Sequence, residues 1–179
     1  MRISFDEHSV ELCLWDTKKQ MTSFLNSCGE GNLLFESQEQ EVEFHSATVW
    51  LKGDPEHKFG VGICSEGHGL VPHILPLPMI STLAFGFNSN AVGVSFPKGE
   101  VVFSFNLDSL FYSFILVPEQ KVLLIQHEIG LVALEEDGQF IWRFSRDIIT
   151  NVVVEKEKIY LEFVDSPFVQ LNITNGEEV

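Results

Sequence analysis

The chain is predicted to be all-β, built from four-stranded antiparallel meanders that recur with a period of about 39 residues. Three observations predict it. Helical periodicity is nearly absent, with no convincing helix of about ten residues or more. Short runs rich in Val, Ile, Leu and Phe alternate with Gly, Pro, Asn or charged turns, the punctuation of strands. A glycine turn followed by an apolar or charged run returns at nearly equal spacing, at Gly99, Gly138 and Gly176.

In chain order, strands are expected at Val10–Trp15, Leu33–Glu36 and Val42–Leu51, each a β-branched or aromatic run bounded by polar turns. Leu83-Ala84-Phe85 through Val92-Gly93-Val94 aligns in register with Val122-Leu123-Leu124 through Leu131-Val132-Ala133. The second of these aligns in turn with Ile159–Glu162 through Phe168–Leu171. Between Gly99 and Gly138 four strands fit: Val101–Phe105, Leu110–Val117, Val122–Gln126 and Leu131–Leu134. Four more fit before Gly176: Phe140–Phe144, Ile148–Val154, Ile159–Val164 and Phe168–Ile173. Clean alternation in Val101–Phe105 and Tyr160–Phe163 marks half-buried antiparallel strands.

One period back from Gly99 stands Gly60, and one more reaches Gln20 in a polar turn. The single domain then divides into units 20–59, 60–98, 99–137 and 138–175, with an extra N-terminal strand about 9–16. Shortly past each marker stand Phe24, Cys64, Phe103 and Trp142, all large or apolar. A four-stranded meander at this period is the blade of a β-propeller. The same strands could also fold as a β-sandwich or open barrel.

Two segments carry a family resemblance. Gly130-Leu131-Val132-Ala133-Leu134-Glu135-Glu136-Asp137-Gly138-Gln139-Phe140-Ile141-Trp142 resembles the quinoprotein (PQQ-type) blade, with its Ala-Leu, acid, Gly turn and Trp shortly after. Ser9–Asp16 resembles the outer strand and Trp-Asp dipeptide of a WD-repeat blade. The turn from Ala133 to Gly138 is one residue shorter than the PQQ-type pattern, and no quinone site carries over to any residue. The resemblance implies the fold alone.

Charge limits the partners. Lys and Arg number 11 against 26 Asp and Glu, a formal charge of −15, which disfavours nucleic acid and anionic membranes. From Gly67 to Pro97, however, there is no Asp, Glu, Lys or Arg. Pro72, Pro76 and Pro78 break any spanning helix there. The stretch reads as buried strands with proline-rich turns, or as an apolar contact surface centred on Leu70, Val71, Pro72, His73, Ile74 and Leu75. No signal peptide is visible, and Cys13, Cys28 and Cys64 are too few and too far apart for a disulfide framework. Reduced thiols in the cytoplasm are the expectation.

Chemistry-bearing motifs are sparse. Cys64, His68 and His73 combine zinc-ligand types, or a thiol nucleophile with a base, but at non-standard spacing. Gly60-x-Gly62 lacks the lysine of a phosphate loop. Glu39-Gln40-Glu41-Val42-Glu43, Glu135-Glu136-Asp137 and Glu177-Glu178 read as solvated loops. His8, His45, His57 and His127 read as surface or strand histidines, and Trp15, Trp50, Trp142, Tyr112 and Tyr160 as structural anchors. The sequence therefore assigns no catalytic, cofactor-binding or metal residue and implies no cofactor. It points to a non-enzymatic cytoplasmic β-repeat protein that binds a protein partner, a second copy of itself or a basic partner drawn by its charge. The alternative is a hydrolase or metal-dependent enzyme centred on Cys64, His68 and His73.

Overall fold

In the computed structural model, every residue is described except Met1, Asp6, Gln38, Glu39, Pro97 and Glu136, together with the side chain of Met79. Pro97 and Glu136, within two of the turns named above, and Glu39 of the acidic run therefore lie outside the described residues. The strands form four sheets. The first contains β1 (Arg2–Phe5), β2 (His8–Trp15), β3 (Asn32–Phe35), β4 (Glu43–Leu51) and β5 (Lys58–Ser65) in the order β1-β2-β4-β5-β3. The second is the meander β6 (His73–Leu77), β7 (Thr82–Phe87), β8 (Asn90–Ser95) and β9 (Val101–Asn106). The third is β10 (Phe111–Val117), β11 (Val122–His127), β12 (Gly130–Glu135) and β13 (Phe140–Ser145). The fourth contains β14 (Ile149–Glu155), β15 (Lys158–Phe163) and β16 (Val169–Asn172), with an isolated antiparallel bridge from Leu171 to Glu178.

The expected antiparallel four-stranded repeats are present. Gly99 and Gly138 each precede the last strand of a sheet, β9 and β13, so a unit counted from one of these glycines runs from the last strand of one sheet into the first three of the next. In the first sheet β1, β2, β4 and β5 already make an antiparallel meander, but residues 16–42 are inserted between β2 and β4. That insertion holds helix α1 (Lys18–Leu25) and β3, which pairs parallel with β5. Gln20 is thus a helical residue: its backbone N–H donates to Thr17 Oγ1 at 3.2 Å, and its side-chain oxygen accepts from the Thr17 N–H at 3.1 Å. This reciprocal cap stabilises so short a helix. Gly60 lies within β5 rather than in a turn. A Cβ there would meet Leu25 Cδ2 at 2.8 Å, and one at Gly62 would meet Leu25 Cδ1 at 2.5 Å. The two glycines let the helix lie close against the sheet.

Three apolar layers join the four sheets. Val10, Leu12, Ala47, Val49, Val61 and Ile63 of the first sheet pack on Leu83, Phe85, Val92 and Val94 of the second. The second meets the third through Ala84, Ala91, Phe103, Leu123, Ile125, Val132 and Leu134. The third meets the fourth through Leu124, Leu131, Ala133, Trp142, Ile159, Leu161 and Leu171. Both ends of the stack are covered differently. Met21 and Leu25 of α1 pack on Cys64 and Leu34 at one end. At the other, the outer face of the fourth sheet carries Asn151, Glu155, Lys158, Tyr160, Glu162 and Gln170 beside Val153 and Phe168. Polar outer faces of this kind terminate repeat arrays.

Each sheet also reaches over the next at one turn. Gly99, Gly138 and Gly176 all have left-handed φ, at 69°, 89° and 71°. A Cβ on them would strike the rings of Phe59, Phe103 and Trp142 respectively, at 2.3, 2.6 and 2.6 Å. The docking aromatic of the first sheet is therefore Phe59, not Cys64, and Phe24 lies on the helix. Trp142 also donates its indole N–H to the Ile173 carbonyl at 2.8 Å.

Trp142→Ala should lower stability by about 3–5 kcal/mol through the lost aromatic packing. Trp142→Phe, which keeps a ring but loses the hydrogen bond, should cost about 1 kcal/mol from that bond. Urea denaturation of the two variants measures the difference.

Candidate functional site

The loops that enter the first strands of the second, third and fourth sheets and the turns between those sheets' second and third strands lie along one side of the stack. In each of the last three sheets a polar side chain ties loop to turn or to a neighbouring loop, by different chemistry. Asn88, at the end of β7, accepts from Ser65 Oγ and from the Glu66 N–H, both at 3.2 Å, and donates to the Cys64 carbonyl at 3.2 Å. In the third sheet Ser109 Oγ lies 2.9 Å from His127 Nδ1 and accepts the Ile129 N–H at 3.2 Å. In the fourth, Asp147 accepts from Ser166 Oγ at 3.0 Å and from the Asp165 N–H at 3.2 Å. The loop backbones are thereby held on a rigid scaffold, the arrangement in which loops carry recognition.

The uncharged stretch is divided between core and surface. β7 and β8 are almost wholly buried, as the structural reading of that stretch expected. Of the six residues proposed for partner contact, Leu70 and Val71 are 37% and 57% exposed, and His73 is exposed beside Phe111. Pro72 is buried, while Ile74 and Leu75 pack against the first and second apolar layers. Of these six side chains, only Leu70, Val71 and His73 are exposed.

Cys64, His68 and His73 do not assemble. Cys64 is fully buried beneath α1, His68 pairs with Glu66 at 2.9 Å, and His73 lies edge-on to Phe111. No group of three or more His, Cys, Asp or Glu placed to hold a metal occurs among the described residues. Burial, then the negative charge of Glu41, pushes the Cys64 thiol up to about 12, so it carries no thiolate at neutral pH. The three cysteines are free, and no described helix is long and apolar enough to cross a membrane.

A cavity of about 300 Å³ lies at the opposite end of the first sheet, where β4 turns into β5. Trp50, Phe59, Phe96 and His8 line it together with Glu30, Asp54 and His57. Asp54 holds the His57 ring at 2.7 Å and, by that hydrogen bond and its charge, raises the imidazole pKa above its ordinary value. Sequence reasoning missed this grouping because its residues run from His8 to Phe96 and no spacing rule connects them. His127, which the sequence places only as a surface or strand histidine, is fully buried, with Nε2 unpartnered.

No family model matches the sequence, and no curated protein matches it. Solved structures do resemble the fold. The computationally designed Ika8 protein aligns over 80% of this chain and 46% of its own, at 12% identity and a TM-score of 0.51. Sqt1 of Saccharomyces cerevisiae aligns over 80% and 45%, at 12% identity and 0.50. The WD40 domain of Neurospora crassa Pan2 aligns over 63% and 38%, at 14% identity and 0.48. The chain spans less than half the length of these proteins. The antiparallel four-stranded sheets resemble propeller blades, and the likeness concerns the fold alone.

Burial lowers the His127 pKa below its ordinary value, since charging would add a second buried N–H without a partner. The unfolded chain then takes up the proton first, so stability should fall as pH drops through about 6.5. Urea midpoints at pH 7.5 and 5.5 should differ less in His127→Gln than in the unaltered protein. Cys64 should resist alkylation by iodoacetamide in the native state and react on unfolding, as peptide mass analysis would show.

Proposed function

We propose that the chain is a protein-interaction module whose contact surface includes Leu70 and Val71. The observation that supports this most directly is their position: two exposed apolar side chains in the loop before β6, whose first residues are bound by Asn88. Exposed apolar residues on a rigid scaffold favour contact with a protein, because burying them removes apolar surface from water without ordering a flexible loop. Propeller-like folds of the WD40 kind are typical protein-interaction scaffolds.

A different protein is favoured as the partner over a second copy stacked on either end of the molecule. Completing the stack with another copy would bury Glu155, Lys158 and Glu162 on the fourth sheet, or would displace α1 from the first. A formal charge of −15 favours a basic partner through faster association. Three free cysteines suit a reducing compartment such as the cytoplasm.

Leu70→Asp combined with Val71→Asp should abolish recovery of a specific partner on affinity purification from the native source, while the melting temperature stays within a few degrees. Recovery of the same partner with both substitutions in place would overturn this placement.

A further inference from the structure

The cavity beside the β4–β5 loop joins buried aromatic rings to an acidic rim, and we infer that it receives the guanidinium side chain of an arginine on a partner protein. This rests on the protein-interaction reading above and assigns a second contact at the opposite end of the first sheet.

The walls are aromatic. Phe59 and Phe96 are buried, and His8 is held between Phe5, stacked at 5.8 Å, and Phe96, edge-on at 4.6 Å, while Trp50 borders the cavity from β4 with its ring on the other face of the sheet, the face Lys58 also takes. Aromatic faces are electron-rich and attract cations, and a flat guanidinium stacks on them with little loss of hydration. The chain supplies an internal precedent: the Arg2 guanidinium lies 5.1 Å from the Trp50 ring centre and is not part of the cavity lining.

The rim is anionic. The Glu30 side chain makes no ion pair or hydrogen bond among the described residues. Asp54 holds a single nitrogen of His57 with both oxygens, at 2.7 and 2.8 Å. No Lys or Arg lines the cavity or the adjoining depression formed by Phe5, Glu7, His8, Pro78, Ser81 and Phe96. Lys58, next in sequence to Phe59, turns to the other face of β5 and lies 6.0 Å from the Phe24 ring. With Asp54 already paired to His57, the Glu30 carboxylate beside buried aromatic rings matches arginine, which can pair with the acid and stack on a ring at once. A volume near 300 Å³ sits at the lower bound of ligand pockets, which suits one side chain better than a cofactor.

The test is a titration of the ¹⁵N-labelled full chain with N-acetyl-Gly-Arg-Gly-amide, alongside the citrulline and lysine analogues. The arginine peptide should shift the amides of Glu30, Trp50, Phe59 and Phe96. The citrulline analogue has the same shape without charge and should bind at least about tenfold more weakly. The lysine analogue should fall between them. Glu30→Gln, an exposed substitution, should weaken the arginine peptide about threefold to tenfold with an unchanged melting temperature. Equal binding of arginine and citrulline, shifts spread over the acidic turns at 155–162, or no shift at the cavity would each overturn the inference. Failure here with partner loss in the Leu70/Val71 variant removes the cavity alone. A Glu30-dependent site without that partner loss removes the Leu70/Val71 surface instead.

Discussion

An aromatic ring resting on a glycine turn is the contact on which this architecture depends. Phe59, Phe103 and Trp142 each lie on the last strand of one meander and cover Gly99, Gly138 and Gly176 in the next. The glycine is required twice over. Its positive φ is disfavoured for residues with a Cβ, and the ring occupies the space a Cβ would take. One contact therefore sets the turn and the position of its neighbouring sheet together. Trp142 adds a hydrogen bond to Ile173, so the last docking is fixed in direction as well as distance.

Everything between these contacts is apolar packing, and it continues through three layers. Such a stack must end somewhere without leaving an apolar sheet face in water. Here the two ends use different means. The insertion after β2 lays a capped helix over the first sheet, made possible by Gly60 and Gly62. The fourth sheet instead alternates, with Ile159, Leu161 and Leu171 turned inward and Lys158, Tyr160, Glu162 and Gln170 turned out. The loop side is held by three unrelated polar ties, through Asn88, Ser109 with His127, and Asp147. Their variety shows that the geometry, not one side-chain chemistry, is what recurs.

The later repeats are legible in the sequence because their turns and strands are local. Gly99, Gly138 and Gly176 announce themselves by spacing, and the flanking strands alternate as half-buried strands must. The earlier repeat is obscured because the insertion at 16–42 interrupts it, so counting back from Gly99 reaches a mid-strand glycine and a helical glutamine. A local signal for the helix is present: Thr17-x-x-Gln20 is a capping box, easily overlooked beside the absence of long helical periodicity. For the sites, Leu70 and Val71 stand out within an uncharged stretch, while their neighbours Pro72, Ile74 and Leu75 are equally apolar and face inward. Composition registers apolarity but not direction.

The sequence by itself determined the all-β class, the four-stranded repeat and the acidic character, because each follows from short-range pattern or from counting. Tertiary structure alone decided that Phe59 docks, that Cys64 is an inert thiol under a helix and that His127 is buried. It also decided that Glu30, Asp54 and Trp50 meet around one cavity. These depend on contacts between residues far apart in the chain, and the side chain that burial selects at each is set by the sheet behind it rather than by its neighbours in sequence.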